Sequence, residues 1–315
     1  MMHLRLIVPK ALLTQVREVL DAALGVTHVV VLEGAAVRPE GTLVECDVAR
    51  ESADELVAAL RELGLPHAGA IVLRDAGFTQ SEAATRAMEQ APGEAADAVV
   101  WEAVSELTQE ESTLSATYVA FLTVATMLAA CGVMLDNAIL IVGAMVVGPE
   151  FGPLAGLCVA LVRRQRPEAW RSTVTLVLGF VVAIALTVLF SWVLEQRGLF
   201  SRTQFEGPRP QTSFIWQPDR MSLVVACLAG IAGMLSLTSA KSATLIGVAI
   251  SVTTVPAAGN IALAATYSAY EQAWGSFQQL AINLAGIVVA GTCTLLAQRL
   301  LWSRVRGREL ARLRG

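Results

Sequence analysis

The chain has 315 residues, of which 55% are apolar and only 16% are charged, and its formal net charge is -4. This composition, with its positive mean hydropathy, excludes an ordinary soluble globular protein and indicates a membrane protein. The small net charge does not suggest nucleic acid as a partner. Between Val119 and Val162 the only charged residues are Asp136 and Glu150. A soluble amino-terminal domain followed by a membrane domain is therefore predicted.

The first part of the chain alternates between strand and helix patterns. Strands are predicted at 3–8, 26–32, 43–48 and 70–73, and helices at 12–23 and 52–63. Ser52 and Glu55 are predicted to form a capping box at the start of the second helix. The order βαββαβ predicts a ferredoxin-like α+β domain over residues 1–78. Because the first residues lack the apolar core of a signal peptide, this domain is expected to be cytoplasmic.

An acidic helical connector is predicted over residues 79–115. Glu102, Glu106 and Glu110 lie on one face at i, i+4 spacing, and no Lys or Arg occurs from 87 to 162. Two interpretations stay open. The connector is a solvated helix that joins two domains, or it forms a vestibule that concentrates cations near a pore mouth.

The transmembrane domain is predicted over residues 116–303, followed by a basic cytoplasmic tail at 304–315. A membrane-spanning helix needs about 20 apolar residues. Six spans are predicted, at about 116–135, 138–162, 172–194, 221–238, 242–267 and 276–301. An even number places both termini on one side of the membrane. The arginines between spans two and three and after span six predict that this side is the cytoplasm.

Two of these segments, at 138–161 and 244–265, carry proline in their middle. Pro149 and Pro153 interrupt the first, and Pro256 interrupts the second. Proline removes an amide donor and clashes with the preceding turn of a helix. In hydrocarbon, the carbonyls that are freed in this way need a partner from protein or from water in a cavity. Both segments are therefore predicted to be broken transmembrane helices.

The two halves of the membrane domain can be aligned with each other. Gly143 corresponds to Gly247, and Pro153 to Pro256. Since each half has three spans, the halves cross the membrane in opposite directions. Such a 3+3 inverted repeat with two broken helices is typical of secondary transporters that bind their substrate near the membrane midplane.

A family resemblance is carried by the stretches LDNAILIVGAMVVGPEFGPLAGLCVAL and LIGVAISVTTVPAAGNIALA. They resemble the two signature segments of an uncharacterised hydrophobic-domain family of prokaryotic membrane proteins, the domain of unknown function 389. The resemblance covers Tyr118 to about Leu301. It implies a multi-pass protein of the inner (cytoplasmic) membrane of a bacterium or archaeon, with a small amino-terminal α+β domain. The chain departs from the family pattern at Glu150, where many members have an apolar residue, and at Ala257, where many have a second proline.

Glu150 is the most informative candidate, because an ionisable group inside a span is costly and usually faces a cavity or a partner. Three interpretations stay open. The carboxylate caps the half-helix that follows it, it binds a cation or carries a proton, or it lies exposed at the interface in a re-entrant loop.

The second break supplies neutral polar groups that could coordinate an ion or a polar solute. Hydroxyls and amides of this kind also hold transmembrane helices together, and glycines at every fourth position usually mark close packing. The predicted solute- or ion-binding site comprises Gly148, Pro149, Glu150, Gly152 and Pro153 at the first break, and Thr253, Thr254, Pro256 and Asn260 at the second.

The sequence predicts no enzyme, cofactor or metal. Its three histidines and five cysteines have no ligand spacing, the cysteines are expected to be reduced thiols, and no catalytic motif occurs. The first hypothesis is a transporter or channel for a small polar solute or ion, coupled to a proton or cation through Glu150 and regulated by the amino-terminal domain. The alternative is a non-transporting membrane-anchored sensor or scaffold whose amino-terminal domain binds a ligand or partner. Under both hypotheses the partners are the lipid bilayer and further copies of the chain, in a homo-oligomer.

Overall fold

A computed structural model describes residues 1–91, 99–238 and 254–313 of the chain. Two compact units are present. The first is built on Met1–Val104, and the second on Ser105–Leu237 together with residues 254–298.

The first unit contains a small antiparallel sheet of four strands. Its elements are β1 (Met2–Val8), α1 (Leu13–Ala22), β2 (Val26–Val37), β3 (Glu40–Val48), α2 (Arg50–Glu62), α3 (Leu65–Ala68) and β4 (Ala70–Asp75). The strand order is β2-β3-β1-β4. The predicted succession of strands and helices is present, with the short α3 added before the last strand. Leu4, Leu6 and Val8 alternate along β1 and are fully buried in the core of this unit, as the period-2 pattern predicts.

The predicted capping box at the start of α2 is wrong. The helix begins at Arg50, its N-cap is Ala49, and no side chain caps it. The amide of Ala49 donates to the carbonyl oxygen of Gly25 at 2.9 Å, which fixes the chain just before the helix. Ser52 therefore lies inside the first turn, where it is buried rather than placed to cap.

Two helices follow the sheet. They are α4 (Glu82–Gln90) and α5 (Trp101–Glu111). The side chain of Ser81 caps α4 by accepting a hydrogen bond from the amide of Ala84 at 3.0 Å. The amide of Trp101 donates to the carboxylate of Asp54 at 2.9 Å, which holds the start of α5. The interruption predicted at Pro92 lies outside the described residues.

The second unit is helical and strongly apolar. Its helices are α6 (Ala116–Met134), α7 (Ala138–Val147), α8 (Phe151–Arg163), α9 (Arg166–Gln196), α10 (Arg202–Glu206), α11 (Arg220–Thr238), α12 (Val255–Thr266) and α13 (Tyr270–Leu313), with a 3-10 turn at Ser213–Ile215. Among the described residues, α6, α9, α11 and the part of α13 up to Leu301 are long and apolar enough to cross a membrane. The bent pair α7 and α8 would make a fifth such segment.

Helix boundaries differ from the sequence prediction in two places. Helix α9 begins at Arg166, six residues before the predicted span at 172–194. Pro167 lies in its first turn, where proline is tolerated. Helix α13 continues to Leu313, so most of the segment predicted as a basic tail is helical. Of the fifth predicted span, only the part from residue 254 lies within the described residues.

Small residues bring the helices of the second unit close together. A Cβ atom added to Gly259 of α12 would lie 2.9 Å from both the Ala129 Cβ and the Ala130 amide nitrogen of α6. A Cβ atom added to Gly179 of α9 would lie 2.7 Å from the ring of Tyr118. Helix α6 is therefore enclosed by α9 and α12, and its contacts position the break between α7 and α8.

Candidate functional site

The break between α7 and α8 is a three-residue segment, Gly148 to Glu150, at which the helix axis bends by 56°. Pro149 lies in the break itself. Pro153 lies in the first turn of α8, where a missing amide donor leaves no intrahelical hydrogen bond unmade. Gly148 is required by close contact, since a Cβ atom there would lie 2.4 Å from Oε2 of Glu150.

Glu150 is completely buried at this break. Its Oε1 accepts a hydrogen bond of 2.8 Å from the hydroxyl of Thr254. Although Glu150 occupies the N-cap position of α8, its side chain does not cap that helix. Of the three interpretations of this residue, capping and interfacial exposure are therefore wrong, and its carboxylate instead joins the two predicted breaks.

Thr254 is the N-cap residue of α12, and its hydroxyl also makes no cap to its own helix. The Glu150 to Thr254 hydrogen bond thus brings together the amino-terminal ends of α8 and α12. Each end presents first-turn amides and the positive end of a helix dipole, and both favour a negative charge. The Glu150 carboxylate therefore lies where two helices begin, and the hydroxyl of Thr254 donates a hydrogen bond to it.

The other predicted residues of the second break have different places. Pro256 lies in the first turn of α12, where proline is compatible with a helix start. Thr253 lies outside the described residues. Asn260 is buried six residues further along α12, about 9 Å from Thr254 at 1.5 Å per residue, so it belongs to a separate set of contacts.

Asn260 is bound by an arginine that the sequence analysis did not identify. Arg209, in the segment between α10 and the 3-10 turn, donates to Oδ1 of Asn260 at 3.3 Å and to Oε1 of Gln272 at 2.7 Å. Its guanidinium carbon lies 4.5 Å from the centre of the Phe205 ring. The amide of Asn260 donates in turn to the hydroxyl of Ser276 at 2.8 Å. These five residues are called the Arg209 cluster below.

Asp136 holds the same segment in place. It accepts hydrogen bonds from the amide of Gln211 at 3.1 Å and from the hydroxyl of Thr212 at 2.9 Å. Burial lowers the pKa of Arg209, while the charge of Asp136 acts to raise it. The segment that carries Arg209 is therefore attached both to the turn between α6 and α7 and to α12.

Gly152 and Gly156, two glycines four residues apart on α8, have a packing role. A Cβ atom on Gly152 would lie 2.6 Å from the Cβ of Glu111, and one on Gly156 would lie 2.1 Å from the hydroxyl oxygen of Ser112. The end of α5 therefore packs directly on the start of α8. Ser112 is buried there and donates a hydrogen bond to the carbonyl oxygen of Gly152 at 3.3 Å.

A cavity of about 420 Å³ opens beside this contact. It is called the α5–α8 cavity below. Its walls include Glu110 and Glu111 at the end of α5, Tyr118 of α6, Pro149 of the break, and Phe151 and Gly152 at the start of α8. One wall of the cavity is thus formed by the residues on both sides of Glu150 in the sequence.

A polar network lies in the first unit. Asp47 accepts hydrogen bonds from Nδ1 of His3 at 2.9 Å and from Nδ1 of His28 at 2.8 Å. Nε2 of His28 lies 2.8 Å from the hydroxyl oxygen of Ser81. Burial acts to raise the pKa of Asp47, but the two histidine hydrogen bonds outweigh it and lower the pKa. This network ties the start of α4 to the sheet.

All five cysteines are free thiols, and none forms a disulfide with another. Cys46 is next to Asp47 in the sequence. Burial, with the charge of Asp47, raises the pKa of Cys46 to about 12, so this thiol is unreactive at neutral pH. Among the described residues no group of three His, Cys, Asp or Glu side chains has metal-site geometry.

Comparison with known proteins gives a family and one relative. Residues 145–289 match the profile of a family described as a domain of unknown function, DUF389, which confirms the predicted resemblance. An uncharacterised protein of Methanocaldococcus jannaschii is 24% identical over 206 residues, which cover 64% of this chain and 62% of that relative. The chain therefore spans less than two thirds of the length of this relative. No solved structure matches the chain.

Proposed function

Since the chain carries a DUF389 domain over residues 145–289, we propose from the geometry of this domain that the protein is a membrane transporter or channel for a small polar solute or ion. The observation that carries the proposal is the buried carboxylate of Glu150, joined to Thr254 where α8 and α12 both begin. Burying a carboxylate is energetically costly unless the group is paired, so an ionisable group inside an apolar helical unit usually has a function. Glu150 is such a group, at the place where two helices begin.

Membrane insertion is part of this proposal. The chain crosses the inner (cytoplasmic) membrane of a prokaryote six times, as two inverted halves, with both termini in the cytoplasm. Four apolar helices, or five if the bent pair α7 and α8 is one span, support membrane insertion by their length and composition. Discontinuous helices whose starts meet at one point are the usual way in which such repeats form a binding site.

Coupling to a proton or a cation is assigned to Glu150. A carboxylate can bind either one by a change in its own charge state or coordination. The residues on either side of Glu150 in the sequence, Pro149 and Phe151, line the α5–α8 cavity. The Arg209 cluster includes Asn260, which lies about 9 Å from Thr254 along α12. Under this proposal the cavity is an entrance on one side of Glu150, and the Arg209 cluster closes the other side.

Proton and Na⁺ flux into liposomes that contain the full chain tests this function. Glu150→Gln keeps the Oε1 acceptor for Thr254 and removes only the charge, so the variant should fold and its pH-dependent flux should be lost. Glu106→Gln, at an exposed position of α5 outside the cavity, is the matched control and should retain wild-type flux. Equal flux in wild type and Glu150→Gln would remove Glu150 from the mechanism. Wild-type flux no faster than that of empty liposomes would contradict a channel for these ions or a uniporter of them.

A second candidate, a non-transporting sensor or scaffold, is favoured by one observation in the first unit. Strand β2 lies at an edge of the sheet, and its side chains Val29, Val30, Leu32 and Val37 are between 46% and 79% exposed. An apolar edge strand is a ready surface for pairing with another chain. Loss of oligomers in Val30→Lys with unchanged flux would separate this role from transport. Neither candidate function involves catalysis.

A further inference from the structure

The stretch at residues 202–216, called the strap below, packs against α6, α12 and α13 of the second unit. Phe205 and Ile215 of the strap are at most 2% exposed. The carbonyl oxygen of Trp216 lies so close to α13 that a Cβ atom on Gly275 would be 2.2 Å from it. The strap is therefore seated in the helical unit rather than free in solvent.

Polar contacts hold the strap in this place. The guanidinium of Arg209 donates to Asn260 of α12 and to Gln272 of α13, and both acceptors are neutral side-chain oxygens. The hydroxyl of Ser276 donates to the carbonyl oxygen of Ile215 at 3.5 Å. Arg209 forms no ion pair among the residues that the structure describes. Hydrogen bonds to neutral oxygens break more readily than a buried ion pair, so these contacts suit a latch that opens.

Polar side chains recur along α13, starting at the strap. They follow one another at intervals of four, three and four residues, which places them on one side of the helix. These residues, called the polar face of α13 below, are Gln272, Ser276, Gln279 and Asn283. The last three are at most 1% exposed. Polar groups inside a membrane-spanning helix usually face a partner helix or a path for polar solutes.

This polar face reaches the depth of the two helix breaks. Helices α12 and α13 are joined by a turn of three residues and fold back on each other, because the Asn260 amide contacts the Ser276 hydroxyl at 2.8 Å. From that contact, Thr254 is six residues along α12 and Asn283 is seven residues along α13. At 1.5 Å per residue these distances are about 9 and about 10.5 Å, so Asn283 lies at about the level of Thr254.

Gln279, within the polar face of α13, supplies an independent observation. Its side chain is 1% exposed, and its Oε1 finds no hydrogen-bond partner among the residues that the structure describes. Contacts between helices account for Ser276, which pairs with Asn260, but they leave this acceptor unmatched. A buried acceptor without a partner is unfavourable. Water or a polar solute on the polar face of α13 would supply the missing donor.

We propose that the polar face of α13 is one wall of a path for water and polar solutes, and that the strap is the gate that closes this path. Arg209 is the latch, because the strap covers the end of the path while Arg209 binds Asn260 and Gln272. Release of these contacts moves the strap away and admits water to Gln279. The inference rests on the proposed function in one respect, since the path serves transport only if Glu150 is the site that it reaches.

Reaction of a single cysteine with a membrane-impermeant cationic thiosulfonate tests the inference, in liposomes that contain the full chain with its five native cysteines replaced by alanine. The reagent reacts with the thiolate, so it reports thiols in contact with water. Gln279→Cys should react slowly while the strap is closed. With Arg209→Ala added, it should react about tenfold faster or more, because loss of a hydrogen bond to a charged group shifts the gate by about that factor.

Two controls separate opening of the strap from general loosening of the helices. Val289 is 61% exposed on another face of α13, so Val289→Cys should keep its own rate when Arg209→Ala is added. Arg202 is an exposed arginine of the strap that pairs with Glu206, so Arg202→Ala should leave the reaction of Gln279→Cys slow.

Gln272→Leu gives a second test if Arg209→Ala does not fold. It removes the 2.7 Å latch bond but retains the arginine, so it should speed the reaction of Gln279→Cys about threefold or more. Equal rates for Gln279→Cys with and without the latch variants, or the same acceleration at Val289→Cys, would overturn the inference. Labelling is scored without flux, so latch-dependent labelling in a protein that transports nothing would retain the gate and contradict the proposed function.

Discussion

Gly148→Ala is expected to displace the carboxylate of Glu150. The added methyl would lie 2.4 Å from Oε2 of Glu150 and 2.9 Å from Cγ2 of Val255, while an ordinary contact needs more than 3 Å. The carboxylate must therefore move by roughly 1 Å, because Val255 closes the other side. A shift of that size breaks the 2.8 Å hydrogen bond to Thr254.

The magnitude follows from these two effects. Overpacking a buried site typically costs about 1 to 3 kcal/mol. Loss of a hydrogen bond to a charged group costs about 1.5 to 3 kcal/mol. The two costs are not fully additive, because the movement of the carboxylate that breaks the hydrogen bond also relieves part of the overpacking. We therefore expect a net loss of about 2 to 5 kcal/mol in unfolding free energy. For a unit of this size that corresponds to a midpoint at least about 4 °C lower.

Gly143→Ala is the matched control, because it lies in α7 of the same segment and its added Cβ meets no atom within 4 Å. Alanine there should be neutral or should stabilise by up to about 1 kcal/mol through helix propensity. Thermal unfolding of the full chain in detergent, followed by circular dichroism, measures both variants. Equal midpoints for the two would refute the argument that Gly148 provides the space for the Glu150 carboxylate.

Three further predictions concern other parts of the chain. Arg209→Met should lower the unfolding free energy by about 2 to 4 kcal/mol through its lost hydrogen bonds to Asn260 and Gln272, and should speed proteolysis of the 197–219 segment; unchanged proteolysis would contradict this. Gly259→Ala should lower the midpoint by an amount that corresponds to about 1 to 3 kcal/mol, and a wild-type midpoint would show that α6 and α12 can separate freely. Asp47 has a lowered pKa in the folded state, so ionised Asp47 stabilises the first unit. This stabilisation is fully present above its unfolded pKa of about 3.9 and is lost as the pH falls through the folded value. The temperature at which the β-sheet amide I infrared band is lost should therefore be lower at pH 3 than at pH 6. In Asp47→Asn this difference in temperature should be smaller.

The sequence was sufficient to single out Glu150 and Thr254, because each is a polar group within two residues of a proline in a long apolar segment. Such a position is conspicuous in any chain of this composition. What the sequence left open was the partner of the carboxylate, since a capping role and a contact with the second break are equally compatible with the local pattern. The hydrogen bond between residues 104 positions apart could only come from the packing of α8 and α12.

Arg209 was missed because its environment depends on distant residues. In the sequence it stands between two prolines in a polar segment, where an arginine is normally solvated. Its partners Asn260 and Gln272 follow 51 and 63 residues later. The same holds for the α5–α8 cavity, whose carboxylates were predicted as part of an acidic helix but whose aromatic wall comes from two other helices.

The capping box at Ser52 failed for a related reason. A local pattern specifies which residues can cap a helix, but the position of the cap is decided by the chain that enters it. Here the backbone hydrogen bond from Ala49 to Gly25 starts the helix earlier than the side-chain pattern indicated. Local rules located the helix correctly and misplaced its first turn.

A double-mutant cycle on pH-dependent flux tests the central claim most directly, namely that Glu150 and Thr254 act as one site. Thr254→Val removes the hydroxyl while retaining the shape of the side chain, so it should slow flux, and Glu150→Gln should abolish it. The account predicts that Thr254→Val has no further effect on the residual, pH-independent flux of Glu150→Gln, because the Thr254 hydroxyl acts only through the charged carboxylate. Full wild-type flux in Thr254→Val and Glu150→Gln, each confirmed to be folded, would contradict it.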